Sequence, residues 1–86
     1  MKANHAKINV HEGLAEIVHN KLSSYFEALN GDQPALGLYD QIIKEVEKPL
    51  IQVVLEKVSG NKVKAAHILG INRNTLAKKI KDLGII

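Results

Sequence analysis

The stretch Ser59-Gly60-Asn61-Lys62-Val63-Lys64-Ala65-Ala66-His67-Ile68-Leu69-Gly70-Ile71-Asn72-Arg73-Asn74-Thr75-Leu76-Ala77-Lys78-Lys79-Ile80-Lys81-Asp82-Leu83-Gly84 decides the fold. Ser59-Gly60 ends whatever helix precedes it, and Asn61 offers a side-chain oxygen for the unpaired N–H groups of a new helix start. The pattern predicts a helix over 62–69, closed after two turns by Gly70 in a left-handed conformation, and a second over 73–83, capped by Asn72 and ended by Gly84. Ile71 and Leu76 stand at the N′ and N4 positions of a hydrophobic staple. These helices are labelled α3 and α4, because two longer ones are expected before them.

Two helices joined by the three-residue turn Gly70-Ile71-Asn72 have the form of a helix-turn-helix, whose second helix enters the major groove of DNA. Ala65 and Ala66 put small side chains where the two axes must cross closely, and Ile68, Leu69, Ile71, Leu76 and Ile80 supply an apolar wedge beneath. At about 1.5 Å per residue, α4 spans roughly 16 Å, enough for a groove about 12 Å wide. Arg73 and Asn74 occupy its first two positions, where recognition helices reach base edges. An Arg fork can donate twice to guanine, and an Asn amide can pair in two-point fashion with adenine. Asn72 has a competing duty as a cap, with or without DNA. Thr75 can bond phosphate or its own first turn. Lys62, Lys64, Lys78, Lys79 and Lys81 suit phosphate contact.

Charge agrees with this placement. Residues 1–58 carry six lysines against eight acidic residues, whereas residues 59–86 carry five lysines and Arg73 against Asp82 alone, within a net charge of +3. One lysine is usually a solvated side chain, but six cations on one short hairpin point to phosphate.

Upstream, Leu38, Ile42, Val46, Leu50, Val53, Val54 and Val58 keep helical spacing, predicting α2 over 38–58. Ile43, Ile51 and Leu55 widen its stripe beyond what one partner face can cover. Pro49 lies inside, removing a backbone donor at a cost of about 3 kcal/mol and predicting a kink. Before the breakers Pro34 and Gly37, a further helix is predicted near 10–30: α1, with Leu14, Ile17, Val18, Leu22, Tyr25, Phe26 and Leu29 on one face. Asn9 is its expected cap, Glu12 completes a capping box, and Asn30-Gly31 supplies the terminating left-handed residue.

An all-α chain of 86 residues without cysteine has neither a disulfide nor a thiolate metal site to reinforce a small core, so an obligate homodimer is expected. Leu14, Ile17, Val18, Leu22, Phe26, Ile42, Val46, Leu50, Val53 and Val54 are the expected dimer core. The organisation is a single domain with two parts, the N-terminal segment and dimerisation helices over 1–58 and the helix-turn-helix over 59–86. No apolar run of membrane-spanning length or cleavable signal follows Met1, so a soluble cytoplasmic protein without membrane contact is expected. His5, His11, His19 and His67 lack metal-ligand spacing, and there is no Gly-rich phosphate loop, so no metal, cofactor or enzymatic activity is expected. A helical protein-interaction module, using α1 and α2 as its surface, is the alternative from a different class.

Gly60-Asn61-Lys62, Ala65-Ala66, Leu69 through Leu76, and Lys78-Lys79-Ile80 resemble the Fis-type helix-turn-helix, found in bacterial nucleoid proteins and at the C-terminus of NtrC-type activators. Tyr25-Phe26, Leu29-Asn30-Gly31, Leu38-Tyr39 and Glu45 through Leu50 extend the resemblance from Leu14 to the end. It implies a dimer in which α1 and α2 of two chains intertwine into a four-helix core with a helix-turn-helix at each end. It implies base contacts by Asn72 and Arg73, phosphate contacts by Asn61, Thr75, Lys78 and Lys79, and a bent site with a compressed central minor groove. The implied role is a bacterial transcriptional regulator or nucleoid-associated factor; contact with RNA polymerase is left undecided. The alternative is the C-terminal DNA-binding and dimerisation domain of an NtrC-type enhancer-binding activator. Met1 favours the free-standing form, while the 34–40 connection and Asn72-Arg73-Asn74 look as much like the activators.

Three departures limit the resemblance. The family has arginines where this chain has Ser59 and Ala77, and a hydroxyl residue where it has Val63. The 13 residues before Leu14 are too few for the mobile arm that stimulates DNA invertases, so that activity is not expected.

Overall fold

The computed structural model describes residues 13–85. Over that range the chain forms α1 (Leu14–Leu29), α2 (Leu38–Lys57), α3 (Lys62–Leu69) and α4 (Arg73–Asp82). The predicted α3 is met residue for residue, and α4 ends one residue early, at Asp82. The start of α1 needs a larger correction. Gly13 is its N-cap, with extended backbone (φ −77°, ψ 166°), so the helix begins at Leu14 and not near residue 10. Asn9 and Glu12, proposed for a capping box, lie outside the described residues, as do His5 and His11.

The chain divides into two compact units, one up to Leu36 and one from Gly37. In the first, none of the residues of α1 is buried, although its apolar face has the predicted spacing. Tyr25 and Phe26 stack edge to face with ring centroids 5.2 Å apart. The Tyr25 hydroxyl accepts the Ala35 N–H at 3.1 Å, tying the connection back onto the helix. Asn30 adopts the left-handed conformation (φ 51°) that closes α1, a conformation Asn tolerates better than most side chains.

The second unit has a conventional core of Ile51, Leu55, Ala65, Ala66, Leu76 and Ile85, flanked by Val54, Val58, Leu69, Ile71, Ile80 and Leu83. Ala65 and Leu76 are both 0% exposed. The alanine therefore sits at the close crossing of α3, where a larger side chain would force the helices apart. Ile68 does not join this wedge and is 60% exposed. At about 100° per residue it lies roughly 110° round α3 from the buried Ala65, Ala66 and Leu69 side.

Each helix of this unit ends by turning through a left-handed residue. After α3 it is Gly70 (φ 72°), and Ile71 then donates its N–H back to the Ala66 carbonyl at 3.1 Å. After α4 it is Gly84 (φ 69°), and Ile85 donates to Ile80 at 2.9 Å. In both cases the back-bonded residue is apolar and lands in or against the core, the hydrophobic closure of a Schellman motif. Ile85 was not among the residues expected in the wedge; the Gly84-Ile85 pair was its signal. Ser59 performs the same turn after α2 with a side chain present, at φ 54°.

The over-wide stripe of α2 resolves into two sides. Ile51 and Leu55 are buried, with Val54 and Val58 beside them against the core. Ile43, Val46, Leu50 and Val53 remain exposed on the other. Helix α2 runs through Pro49 without interruption, so the missing N–H leaves the Glu45 carbonyl without its usual helical donor.

Candidate nucleic-acid interface

The helix-turn-helix positions its polar side chains through two asparagine caps. Lys64 donates its backbone N–H to Asn61 Oδ1 at 3.1 Å, and Asn74 donates its own to Asn72 Oδ1 at 2.7 Å. Asn72 therefore caps α4, as expected, and its Nδ2 group stays free to donate outward. One oxygen lone pair is engaged by the cap.

Leu76, Ile80 and Leu83 define the inner side of α4. Asn74, Ala77, Lys78 and Lys81 are exposed on the outer side, with Arg73 exposed at the first turn and Thr75 on a flank. Neither α3 nor α4 has an acidic residue in its first turn. The partial positive charge at both helix starts is thus uncompensated by carboxylate, the arrangement that receives phosphate.

The cations fall into three conditions. Arg73, Lys62, Lys64 and Lys81 make no ion pair among the described residues. Lys78 pairs with Asp82 one turn on, at 3.2 Å, in an exposed contact of small energy that phosphate can displace. Lys79 differs: its Nζ lies 2.7 Å from Glu47 Oε2 on α2, in a contact where both side chains are partly sheltered. Of the five lysines expected at phosphate, Lys79 alone is engaged by another helix. Glu47 was missed from sequence, although it lies one turn before buried Ile51 on the same side of α2, and that register was the available signal. Val63 and Ile68 are exposed on the flanks of α3 and bring no polar group.

The expected dimer-core residues are left largely uncovered within their own units. Leu14, Ile17, Phe26, Val46, Leu50 and Val53 are exposed, and Val18, Leu22, Ile42 and Val54 half-buried, with Val54 packed against the core of its own chain. No metal-binding cluster of His, Cys, Asp or Glu occurs among the described residues, and no helix among them is long and apolar enough to cross a membrane.

Comparison with known proteins places relatives beside this geometry. The model of the family described as "Bacterial regulatory protein, Fis family" matches residues 42–83. The chain is 40% identical over 82 residues to the DNA-binding protein Fis of Aeromonas hydrophila subsp. hydrophila, covering 95% of this chain and 83% of that one. It is 43% identical over 72 residues to the DNA-binding protein Fis of Proteus mirabilis, covering 84% and 72%. It is also 51% identical over 74 residues to the DNA-binding transcriptional regulator NtrC of Azospirillum brasilense, but there 86% of this chain spans only 15% of the relative.

Proposed function

Because the chain belongs to the Fis family of bacterial regulatory proteins, we propose that it is a sequence-reading, DNA-bending regulator that binds the major groove as a homodimer. The observation that carries this is the outer side of α4. Asn74, Lys78 and Lys81 face away from fully buried Leu76, and Arg73 stands exposed at the first position of the helix, ahead of the turn that Leu76 buries.

In this reading, Arg73, Asn74 and the free Nδ2 of Asn72 meet base edges. Asn61, Lys62, Lys64, Thr75, Lys78 and Lys81 hold phosphates, which set register without reading sequence. The exposed apolar sides of α1 and α2 cover one another across a two-fold axis, burying Leu14, Ile17, Phe26, Val46, Leu50 and Val53. The cell compartment is the bacterial cytoplasm, at the nucleoid. The role is regulation rather than catalysis.

A dimer with closely spaced recognition helices must compress the central minor groove, so selectivity extends to base pairs that no side chain touches. Smooth bending of the site costs about 1 to 6 kcal/mol. With Ser59 and Ala77 supplying no flank cations, the overall bend is shallower than where arginines stand there. Selection from random duplexes tests the proposal: two-fold symmetric sites with A·T-rich or flexible centres are expected. No enrichment would overturn DNA reading, and indifference to the centre would overturn the compressed geometry.

A further inference from the structure

We propose that Glu47 and Lys79 form a latch that sets the angle of α4 against α2, making Lys79 a positioning residue instead of a phosphate ligand. The inference rests on the DNA-binding reading above and goes on to say which cation does not touch DNA and what it does.

Three observations carry it. First, the other two ion pairs among the described residues, Lys44–Asp40 and Lys78–Asp82, each span one turn of a single helix, whereas Lys79–Glu47 joins two helices 32 residues apart in sequence. Second, it is the sheltered pair: its side chains are 34% and 27% exposed, against 77% and 54% for Lys78–Asp82. A sheltered pair is screened less by salt and competes better with a phosphate for the ammonium. Third, its neighbours give it leverage. Glu47 stands one turn before buried Ile51, and Lys79 one turn after fully buried Leu76, so the pair closes the rim of the core that α2, α3 and α4 share.

The apolar contacts beneath α4 are non-directional and allow it to rock about Leu76. A short charge-assisted hydrogen bond is directional. Fixing α4 at Lys79 therefore fixes the line along which Arg73 and Asn74, at its other end, approach bases. The same contact removes one positive charge from the phosphate-facing sum, because Glu47 neutralises Lys79 in place.

The test measures binding to a selected duplex and to a scrambled one at several salt concentrations. Lys79→Met should leave the salt dependence unchanged while the preference for the selected duplex falls about ten-fold. Glu47→Gln should lose the same preference and steepen the salt dependence by about one ion per chain, because it releases Lys79 to phosphate. The double variant Glu47→Lys with Lys79→Glu should restore the preference to within about three-fold of the starting protein. Circular dichroism checks folding, and the near-isosteric Glu47→Gln carries the test if Lys79→Met unfolds. A salt dependence made shallower by about one ion in Lys79→Met with preference intact would overturn the latch, as would a charge-swapped protein no better than Lys79→Glu alone. Failure of the unaltered protein to bind either duplex at low salt would instead overturn the DNA-binding reading, before any variant is compared.

Discussion

Helices α1 and α2 carry acids at their positive starts and leave apolar surface open, whereas α3 and α4 lack such acids and bury their side of a core. Glu16 and Asp40 occupy the first turns of α1 and α2, where they compensate the positive helix ends. Yet Leu14, Ile17, Phe26, Leu50 and Val53 remain uncovered. In the helix-turn-helix most apolar residues close into a core around Leu76, while the helix starts lack acids and four cations make no ion pair among the described residues. Each region is incomplete mainly in one respect, and that respect points to the chemistry that would complete it: apolar surface for one, a polyanion for the other.

The largest effects should come from attacking the finished core. Leu76→Ala should cost about 2 to 5 kcal/mol, because a fully buried leucine leaves a cavity. Chemical denaturation followed by circular dichroism measures this, and a cost near zero would mean that α4 is not held as described. Next, Leu50→Ala separates the two regions directly. If a second chain covers it, the loss should also fall at about 2 to 5 kcal/mol and grow as protein is diluted. If nothing covers it, a surface change of about 0.5 kcal/mol is expected, independent of concentration. Sedimentation of the unaltered protein as a folded monomer at micromolar concentration would break this half of the comparison.

Smaller effects belong to the charged region. Arg73→Ala should cost about 1 to 3 kcal/mol per half-site and relax preference at one base pair. Uniform loss across sequences would make Arg73 a phosphate ligand. Lys78→Ala should change stability by less than about 0.5 kcal/mol, since the Asp82 pair is exposed. Its mark should be a salt dependence shallower by about one ion per chain, seen in binding titrations at several salt concentrations.

What was legible in sequence follows the locality of the signal. The α3 boundaries, both asparagine caps and the left-handed Gly70 depend on residues within four positions of one another, and the structure agrees with each. The start of α1 was displaced because Asn9 and Glu12 form a plausible capping pattern, while Gly13 is itself an acceptable cap. Ile68 is apolar yet exposed, because on a helix of only two turns apolar spacing fixes the buried side poorly. The Lys79–Glu47 contact is not legible in sequence because the two residues lie 32 positions apart, and sequence spacing carries no record of a contact between helices.

The span of the core, from Ile51 to Ile85, also bears on the order in which the molecule assembles. Its contacts lie close together along the chain, so little loop-closure entropy opposes them, and this unit should fold fast and at a rate indifferent to dilution. In the proposed dimer the outer sides of α1 and α2 are covered on encounter with a second chain, a second-order event. A newly made chain would therefore present its finished helix-turn-helix to the cell before finding its mate.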